Sequence, residues 1–288
     1  MKLLITGAEG QLGYDVKREA ESRGITCICP THSEMDITVS EHVNSIMEKN
    51  KPDAVIHCAG WTAVDFAKNE ENIGTVRKIN AGGTENLARS CRQFHCKMLY
   101  ISTDYVFDGK GTTPWDADCD SYMPLSVYGQ TKLEGELAVK YLLEQYFIVR
   151  IAWLFGKNGN NFVKTMLNTG KTHESVRVVN DQIGTPTYAR DLARLLIDMI
   201  QTDKYGYYHA TNEGGYISWY EFTLEIYKQA GLDTKVIPVS TSEYGLSKAV
   251  RPFNSRFDKS KLVENGFELL PNWKDALKRY LREMSEES

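Results

Sequence analysis

Three side chains have the types needed to hand a proton to a carbonyl oxygen: Thr103, Tyr128 and Lys132. In Tyr128-Gly129-Gln130-Thr131-Lys132 the phenol and the amine are four positions apart, so on a helix they share one face, a turn from each other. An ammonium beside a phenol favours the phenolate and lowers the phenol's pKa. Thr103 lies in Ser102-Thr103-Asp104-Tyr105, at the end of the apolar run 98–101, and can add a hydroxyl from a strand end. Such a trio can protonate a ketone oxygen while a hydride arrives at its carbon. Taken alone, a Tyr and a Lys at this spacing also describe an ordinary exposed helix face. The start of the chain favours the catalytic reading.

Lys2-Leu3-Leu4-Ile5-Thr6 reads as a short strand that runs into Gly7-Ala8-Glu9-Gly10-Gln11-Leu12-Gly13 and a predicted helix ending near Ser22. Strand, glycine turn and helix together are the context in which such glycines point to a dinucleotide site rather than merely closing a tight turn. Gly7 takes the turn, Gly10 lets backbone approach a pyrophosphate, and Gly13 lets the helix pack on the strand. The helix N-terminus then offers N–H groups to the anion. The spacing is GxxGxxG rather than GxGxxG, so its weight comes from the flanking strand and helix.

A second strand is predicted over 25–29 and closed by Pro30. No acid follows it to hold ribose hydroxyls and no arginine to hold a 2′-phosphate, so use of both NADH and NADPH is expected. Thr31, His32 and Ser33 stand there instead. Asp36 is either an adenine-side contact or a turn residue, and Thr38 or Ser40 is expected to cap the helix that runs to Lys49. The third strand, 54–58, ends in Ala59-Gly60-Trp61-Thr62, whose small residues leave room for a cofactor. His57 sits inside the apolar run and reads as a core histidine. A long helix is predicted over 76–94, with Asn80 and Thr84 on one face that either packs or supports the site. After the fourth strand, the long segment 108–124 reads as a lid or binding loop. Ser126 caps the helix bearing Tyr128 and Lys132, and a fifth strand, 146–152, ends at Trp153.

Five strands alternating with helices predict an α/β fold with a doubly wound parallel sheet and ligands at the strands' carboxyl ends. From about Gly156 the elements shorten: helices opening near Asn160 and spanning 188–200, and a capping box at Ser218 and Glu221. The expected division is a dinucleotide-binding domain over 1–155 and a smaller C-terminal substrate-binding lobe over 156–288.

The chain has 288 residues and a formal net charge of −4, which argues against nucleic acid or an anionic membrane as partner. No apolar stretch is long enough to span a bilayer, and the first residues read as a strand rather than a signal peptide. Cys27, Cys29, Cys58, Cys91, Cys96 and Cys119 show no CxxC pair or zinc spacing. Buried reduced thiols in a cytoplasmic protein are the expectation.

With these pieces in place, the chain resembles the extended short-chain dehydrogenases/reductases over nearly its whole length. The motifs are GAEGQLG at Gly7, TAVD at Thr62, INAGGTENLA at Ile79, STDYVFDG at Ser102 and YGQTKLEGE at Tyr128. They continue with RIAWLFG at Arg150, NNFVKTM at Asn160, DQIGTPTYARDLA at Asp181 and RPFNSRFDKSKL at Arg251. The combination is specific where no single motif is. Two departures are Trp61 before TAVD and Phe66-Ala67-Lys68 after it.

The resemblance implies a Rossmann-like domain, NADPH or NADH as cofactor, and a dTDP-linked 4-keto sugar as substrate. It implies that Tyr128 is the proton donor, that Lys132 lowers its pKa and binds the nicotinamide ribose, and that Thr103 hydrogen-bonds the ketone oxygen. Gly7, Gly10, Gln11, Leu12 and Gly13 would cradle the pyrophosphate. Asp36, Ile37, Ala59, Gly60, Thr62 and Ser102 would line the rest of the dinucleotide. Asp104, Tyr105 and Trp153 would position the sugar, with Asn161, Gln182 and Pro186 near the nucleotide. Arg251 would meet the substrate diphosphate or make a salt bridge in the small lobe. Some members form homodimers through Mg2+. Glu283, Glu286 and Glu287 are the acidic candidates by composition, against a solvated acidic tail. Other readings are a reductase or epimerase of another nucleotide-linked sugar, and a noncatalytic nucleotide-binding regulatory subunit.

Overall fold

The computed structural model describes residues 1–245 and 249–286. Its centre is a six-stranded parallel sheet of β1 (Lys2–Thr6), β2 (Thr26–Ile28), β3 (Ala54–His57), β4 (Lys97–Thr103), β5 (Tyr146–Ile151) and a further strand, Gly206–His209. The spatial order is β2-β1-β3-β4-β5 with Gly206–His209 at the far edge. Side chains alternate across a strand, so Leu3 and Ile5 meet one layer of helices and Leu4 the other. α1 (Gln11–Ser22) and helix Ala189–Ile200 cover the first face; helices Ser40–Asn50, Thr84–Gln93 and Val127–Leu142 cover the second. Burial on both faces is why the strands read as unbroken apolar runs. The chain leaves β1 to one side for β2 and returns on the other for β3. The two connections part at the carboxyl ends of β1 and β3, and a crevice opens there.

The sixth strand falls in the region expected to form the small lobe. Residues after 156 supply both this edge strand and helix Ala189–Ile200 to the sheet domain. The lobe itself gathers helices Phe162–Thr172, Trp219–Ala230 and Trp273–Ser285 around Phe155, Val163, Phe222, Trp273 and Tyr280. A parallel strand pair, Ser175–Val179 with Lys235–Val239, is added to it.

The expected helix over 76–94 begins earlier, at Glu70, and is interrupted by a π-helical stretch, Lys78–Gly83, before resuming as Thr84–Gln93. Helix Ser40–Asn50 carries no side-chain cap from Thr38 or Ser40. Ser126 does cap the helix of Tyr128, accepting from the Gly129 N–H at 3.2 Å. Ser218 and Glu221 form the expected reciprocal box. The segment 108–124 is pinned rather than free: Trp115 stacks on Phe107 at 4.4 Å and pairs through its backbone with Arg256 and Asp258.

Candidate active site

A cleft of about 790 Å³ opens at the carboxyl ends of β1, β3, β4 and β5. It continues into a groove of about 270 Å³ that shares Gly7, Ala59, Gly60 and Trp61 with it.

Gly7 has φ +67°, and a Cβ there would stand 2.8 Å from the Ala59 nitrogen, so only glycine fits. Gly10 is the residue before α1 and donates its N–H to the Gly7 carbonyl at 2.9 Å. No side chain caps α1 and no acid stands in its first turn, so its N–H end faces the cleft beside Gln11 and Leu12. Gly13 does not line the cleft. It lets the helix close on the turn, where a Cβ would lie 2.1 Å from the Gly7 oxygen. Asp36 and Ile37 wall the groove. The Thr38 N–H donates to Asp36 at 2.9 Å, which holds that carboxyl below its usual range. Thr62 and Ser102 line the cleft, and the buried Ser102 hydroxyl has no hydrogen-bond partner among the described residues. A phosphate cradle with an unanswered buried hydroxyl beside it fits a dinucleotide.

Asn80, on the π-helical stretch, explains how the loop after β3 is held. Its Oδ1 accepts from the Trp61 N–H at 2.7 Å, and its amide donates to the Trp61 carbonyl and to Thr131, both at 3.2 Å. That ties residues 59–61 to the catalytic helix. His57 bridges Thr6 at 2.7 Å and Thr84 at 3.1 Å, and burial depresses its pKa to about 3. It is a neutral core histidine, as expected.

Thr103, Tyr128 and Lys132 converge on the cleft floor. The Lys132 ammonium donates to the Ile101 carbonyl at 2.7 Å and lies 4.1 Å above the Tyr100 ring, which leaves donors for a ligand. Burial lowers its pKa to about 7, against the charge of Glu136 four residues on. Glu136 is fully buried in an ion pair with Arg150 at 2.8 Å. The expected lowering of the Tyr128 pKa is not what the protein alone provides. Burial raises it, the Asp104 carboxylate raises it further, and the Thr103 hydroxyl opposes both.

Asp104 is buried beside the trio and lines the same cleft. Its Oδ1 accepts from the Thr103 hydroxyl at 2.9 Å and its Oδ2 from the Ser255 hydroxyl, while burial raises its pKa to about 6. Tyr105 meets the Tyr128 ring edge-on at 5.4 Å.

At the other wall Trp153, with φ +51°, stacks on Trp219 at 3.7 Å, and Phe162 lies 4.4 Å from Trp219. Gln182 lines the cleft and donates to Thr241 at 3.0 Å. Two expected contacts stand elsewhere. Asn161 caps helix Phe162–Thr172 and donates to the Gln11 side chain at 3.1 Å, behind the cleft wall. Pro186 is buried, and its carbonyl accepts from the Asn212 N–H at 3.2 Å. Arg251 both lines the cleft and pairs with Asp65 at 2.6 and 3.1 Å. That salt bridge joins the small lobe to the sheet domain rather than staying inside the lobe.

Ser255, Trp219 and Glu136 went unassigned in the sequence. Glu136 was legible as the acid one turn beyond Lys132; nothing local marked the other two. The solvated acidic tail is corrected for Glu283 alone, since Glu286 is exposed. Glu283 is held by Arg18 at 2.8 Å, Tyr188 at 2.6 Å and Arg190 at 3.4 Å, and Glu286 lies 3.7 Å from Arg282. Glu287 lies outside the described residues. Among the described residues no group of three or more acidic, His or Cys side chains is placed to hold a metal. All six cysteines are free, and no described helix is long and apolar enough to cross a membrane.

The model of the RmlD substrate binding domain matches residues 1–286. A dTDP-4-dehydrorhamnose reductase from Aggregatibacter actinomycetemcomitans is 38% identical over 96% of this chain and 97% of its own. The crystal structure of a dTDP-4-dehydrorhamnose reductase from Clostridium acetobutylicum has a TM-score of 0.94 at 43% identity, covering 99% of this chain and 100% of that one. A dTDP-4-dehydrorhamnose reductase from Bacillus anthracis, solved in complex with NADP, has a TM-score of 0.93 at 40% identity over 98% and 99% of the two chains. The glycine cradle, the buried Tyr-Lys pair and the matches along the chain agree: this protein belongs to the RmlD substrate-binding-domain family of the extended short-chain dehydrogenases/reductases.

Proposed function

We propose that the protein reduces the C4 ketone of dTDP-4-dehydrorhamnose to the alcohol with NADPH or NADH. The observation that carries this reading is the convergence of Thr103, Tyr128 and Lys132 at the floor of a cleft continuous with the glycine cradle. When bound, the dinucleotide supplies the hydride. The chain's residues supply position and a proton. Gly7, Gly10, Gln11 and Leu12 receive the pyrophosphate, and Lys132 donates to the nicotinamide ribose. Thr103 holds the ketone oxygen, and Tyr128 protonates it. Trp153, Tyr105 and Gln182 bound the sugar side, and Arg251 offers a fork to the diphosphate. The names of the 38–43% identical relatives support the nucleotide and the sugar. A homodimer in solution, to be read by sedimentation, belongs to the same reading.

The test is turnover of a panel of nucleotide-linked 4-keto sugars, followed by loss of NAD(P)H absorbance. dTDP-4-dehydrorhamnose should give the highest kcat/KM. A higher value for another nucleotide sugar would reassign the substrate. Dinucleotide binding without any turnover would make the protein a noncatalytic binding subunit.

A further inference from the structure

We propose that the protein has a second anion site, outside the catalytic cleft, that takes a polyphosphate chain, free or carried by a nucleotide. The inference goes beyond the reductase reading and does not depend on it. A cavity of about 430 Å³ lies among α1, helix Ala189–Ile200 and helix Trp273–Ser285. Among the described residues it shares no lining side chain with the cleft. Arg18, Lys157, Arg190, Arg194, Arg279 and Arg282 line it, against two carboxylates, Glu283 and Glu286. That is a local excess of positive charge in a chain whose formal net charge is −4. Helical spacing builds it. Arg190 and Arg194 are four positions apart, and Arg279, Arg282 and Glu286 follow one another at steps of three and four, so each helix turns its group to one side.

The arginines divide into two groups. Arg279 and Arg18 are committed. Arg279 forks Asp191 at 2.6 and 2.7 Å and reaches Asp275 at 2.7 Å, and Arg18 donates to Glu283 at 2.8 Å. These two brace the walls. Arg190, Arg194 and Arg282 are held loosely. The carboxylates they pair with stand at 3.4 Å (Glu283), 3.9 Å (Glu19) and 3.7 Å (Glu286), and the three side chains are 43%, 49% and 74% exposed. A charge-assisted hydrogen bond closes to about 2.7–2.9 Å, so these three forks keep donors for a ligand. A planar guanidinium meets phosphate oxygens two at a time, and three of them around one cavity suit a chain of phosphates better than a single carboxylate.

The two carboxylates stand where that chain would lie. Glu283 is in the last turn of helix Trp273–Ser285 and Glu286 just beyond it, at the end where the helix dipole disfavours negative charge. Glu283 is fixed by Arg18 and by the Tyr188 hydroxyl at 2.6 Å. Glu286 is 68% exposed and touches Arg282 only at 3.7 Å, so it is the carboxylate that an incoming phosphate displaces. Binding is then a non-covalent exchange: the phosphate chain takes over the Arg282 fork and adds those of Arg190 and Arg194.

The experiment is a calorimetric titration of inorganic triphosphate into the full chain, with NADH in excess to fill the glycine cradle. Wild type, the double variant Arg194→Gln/Arg282→Gln and Glu286→Gln are compared at 0.15 M salt, where attraction between exposed charges beyond about 8 Å is largely screened. One equivalent should bind to wild type. The arginine variant should bind at least about tenfold more weakly, having lost two forks. Glu286→Gln should bind several times more tightly, because the competing carboxylate is gone. Damage to the fold cannot produce that gain, so Glu286→Gln decides even if the arginine variant is unstable. ATP titrated in the same way separates the sources: affinity equal to or above that of triphosphate supports a nucleotide at this site, and lower affinity supports a free polyphosphate. No binding of triphosphate to wild type at millimolar concentration, equal affinity in the arginine variant, or no gain in Glu286→Gln overturns the proposal.

Discussion

A carboxylate buried against two hydroxyls and a phenol costs the fold stability whenever it is ionised. The folded pKa of Asp104 is raised to about 6, so its stabilising contribution is present below the ordinary carboxylate pKa and is lost as pH rises through about 6. Asp15, raised to about 6 by burial and by Glu283, works in the same direction. His57 works in the other: its pKa is depressed to about 3, so its contribution is present at neutral pH and is lost as pH falls toward that value. Asp104→Asn is therefore expected to raise Tm at pH 8 but not at pH 4.5. The gain has an upper bound on the order of 3 kcal/mol, from a shift of about two units. Thermal unfolding at the two pH values checks this, and a variant less stable than wild type at pH 8 would contradict it. Lys132→Met removes an ammonium and its donors at once. It should weaken NAD(P)H binding, whereas Tyr128→Phe should leave that affinity nearly unchanged, because the phenol serves the ketone. Fluorescence titration of both variants separates the roles, and equal affinities would reduce Lys132 to a buried structural group.

The glycine turn between β1 and α1 does two separable jobs, and two substitutions tell them apart. A Cβ on Gly13 would sit 2.1 Å from a backbone oxygen that cannot move away, so Gly13→Ala should cost the fold at least ~3 kcal/mol. A Cβ on Gly10 would lie 3.1 Å from the same oxygen, and its extended backbone suits any residue. Gly10→Ala should fold at a cost of about 1 kcal/mol and show its effect in dinucleotide affinity. Chemical denaturation and binding titration of the pair measure both, and a stable Gly13→Ala would break the packing argument. This element was legible because strand, turn and helix each leave a local pattern. The strand Gly206–His209 was not. It is four residues long and its partner, β5, lies far away in sequence. The π-helical stretch at Lys78–Gly83 was hidden for another reason: Gly82 and Gly83 mark a weak point in the helical pattern but not its kind, and the hydrogen bonds of Asn80 to Trp61 and Thr131 justify the extra residue only in three dimensions. Trp153 was found at its strand end, but its positive φ and its stack on Trp219 come from tertiary contact alone.

At the scale of the whole molecule, the cleft exists because a small lobe closes over the carboxyl ends of the sheet, and Arg251–Asp65 is one of the ties across it. The pair is partly exposed and contributes about 0–1 kcal/mol, so Arg251→Ala should move Tm only slightly. If the guanidinium also meets the substrate diphosphate, KM for the nucleotide sugar should rise about tenfold or more. A lowered Tm with unchanged KM would leave Arg251 as a strut. The sequence placed both ends of this tie in family motifs but kept them 186 positions apart, and only the fold joins them. Ser255 was invisible for the same reason, reaching Asp104 across the cleft from the lobe. The account's central claim is that this cleft reduces a sugar ketone with Tyr128 as the acid. Its most direct test is the rate of NAD(P)H oxidation with dTDP-4-dehydrorhamnose by wild type and Tyr128→Phe, each shown to be folded and dinucleotide-bound. The account predicts turnover by wild type and a loss of about 10²–10⁴-fold in the variant; equal rates in the two proteins, or no turnover by wild type, would contradict it.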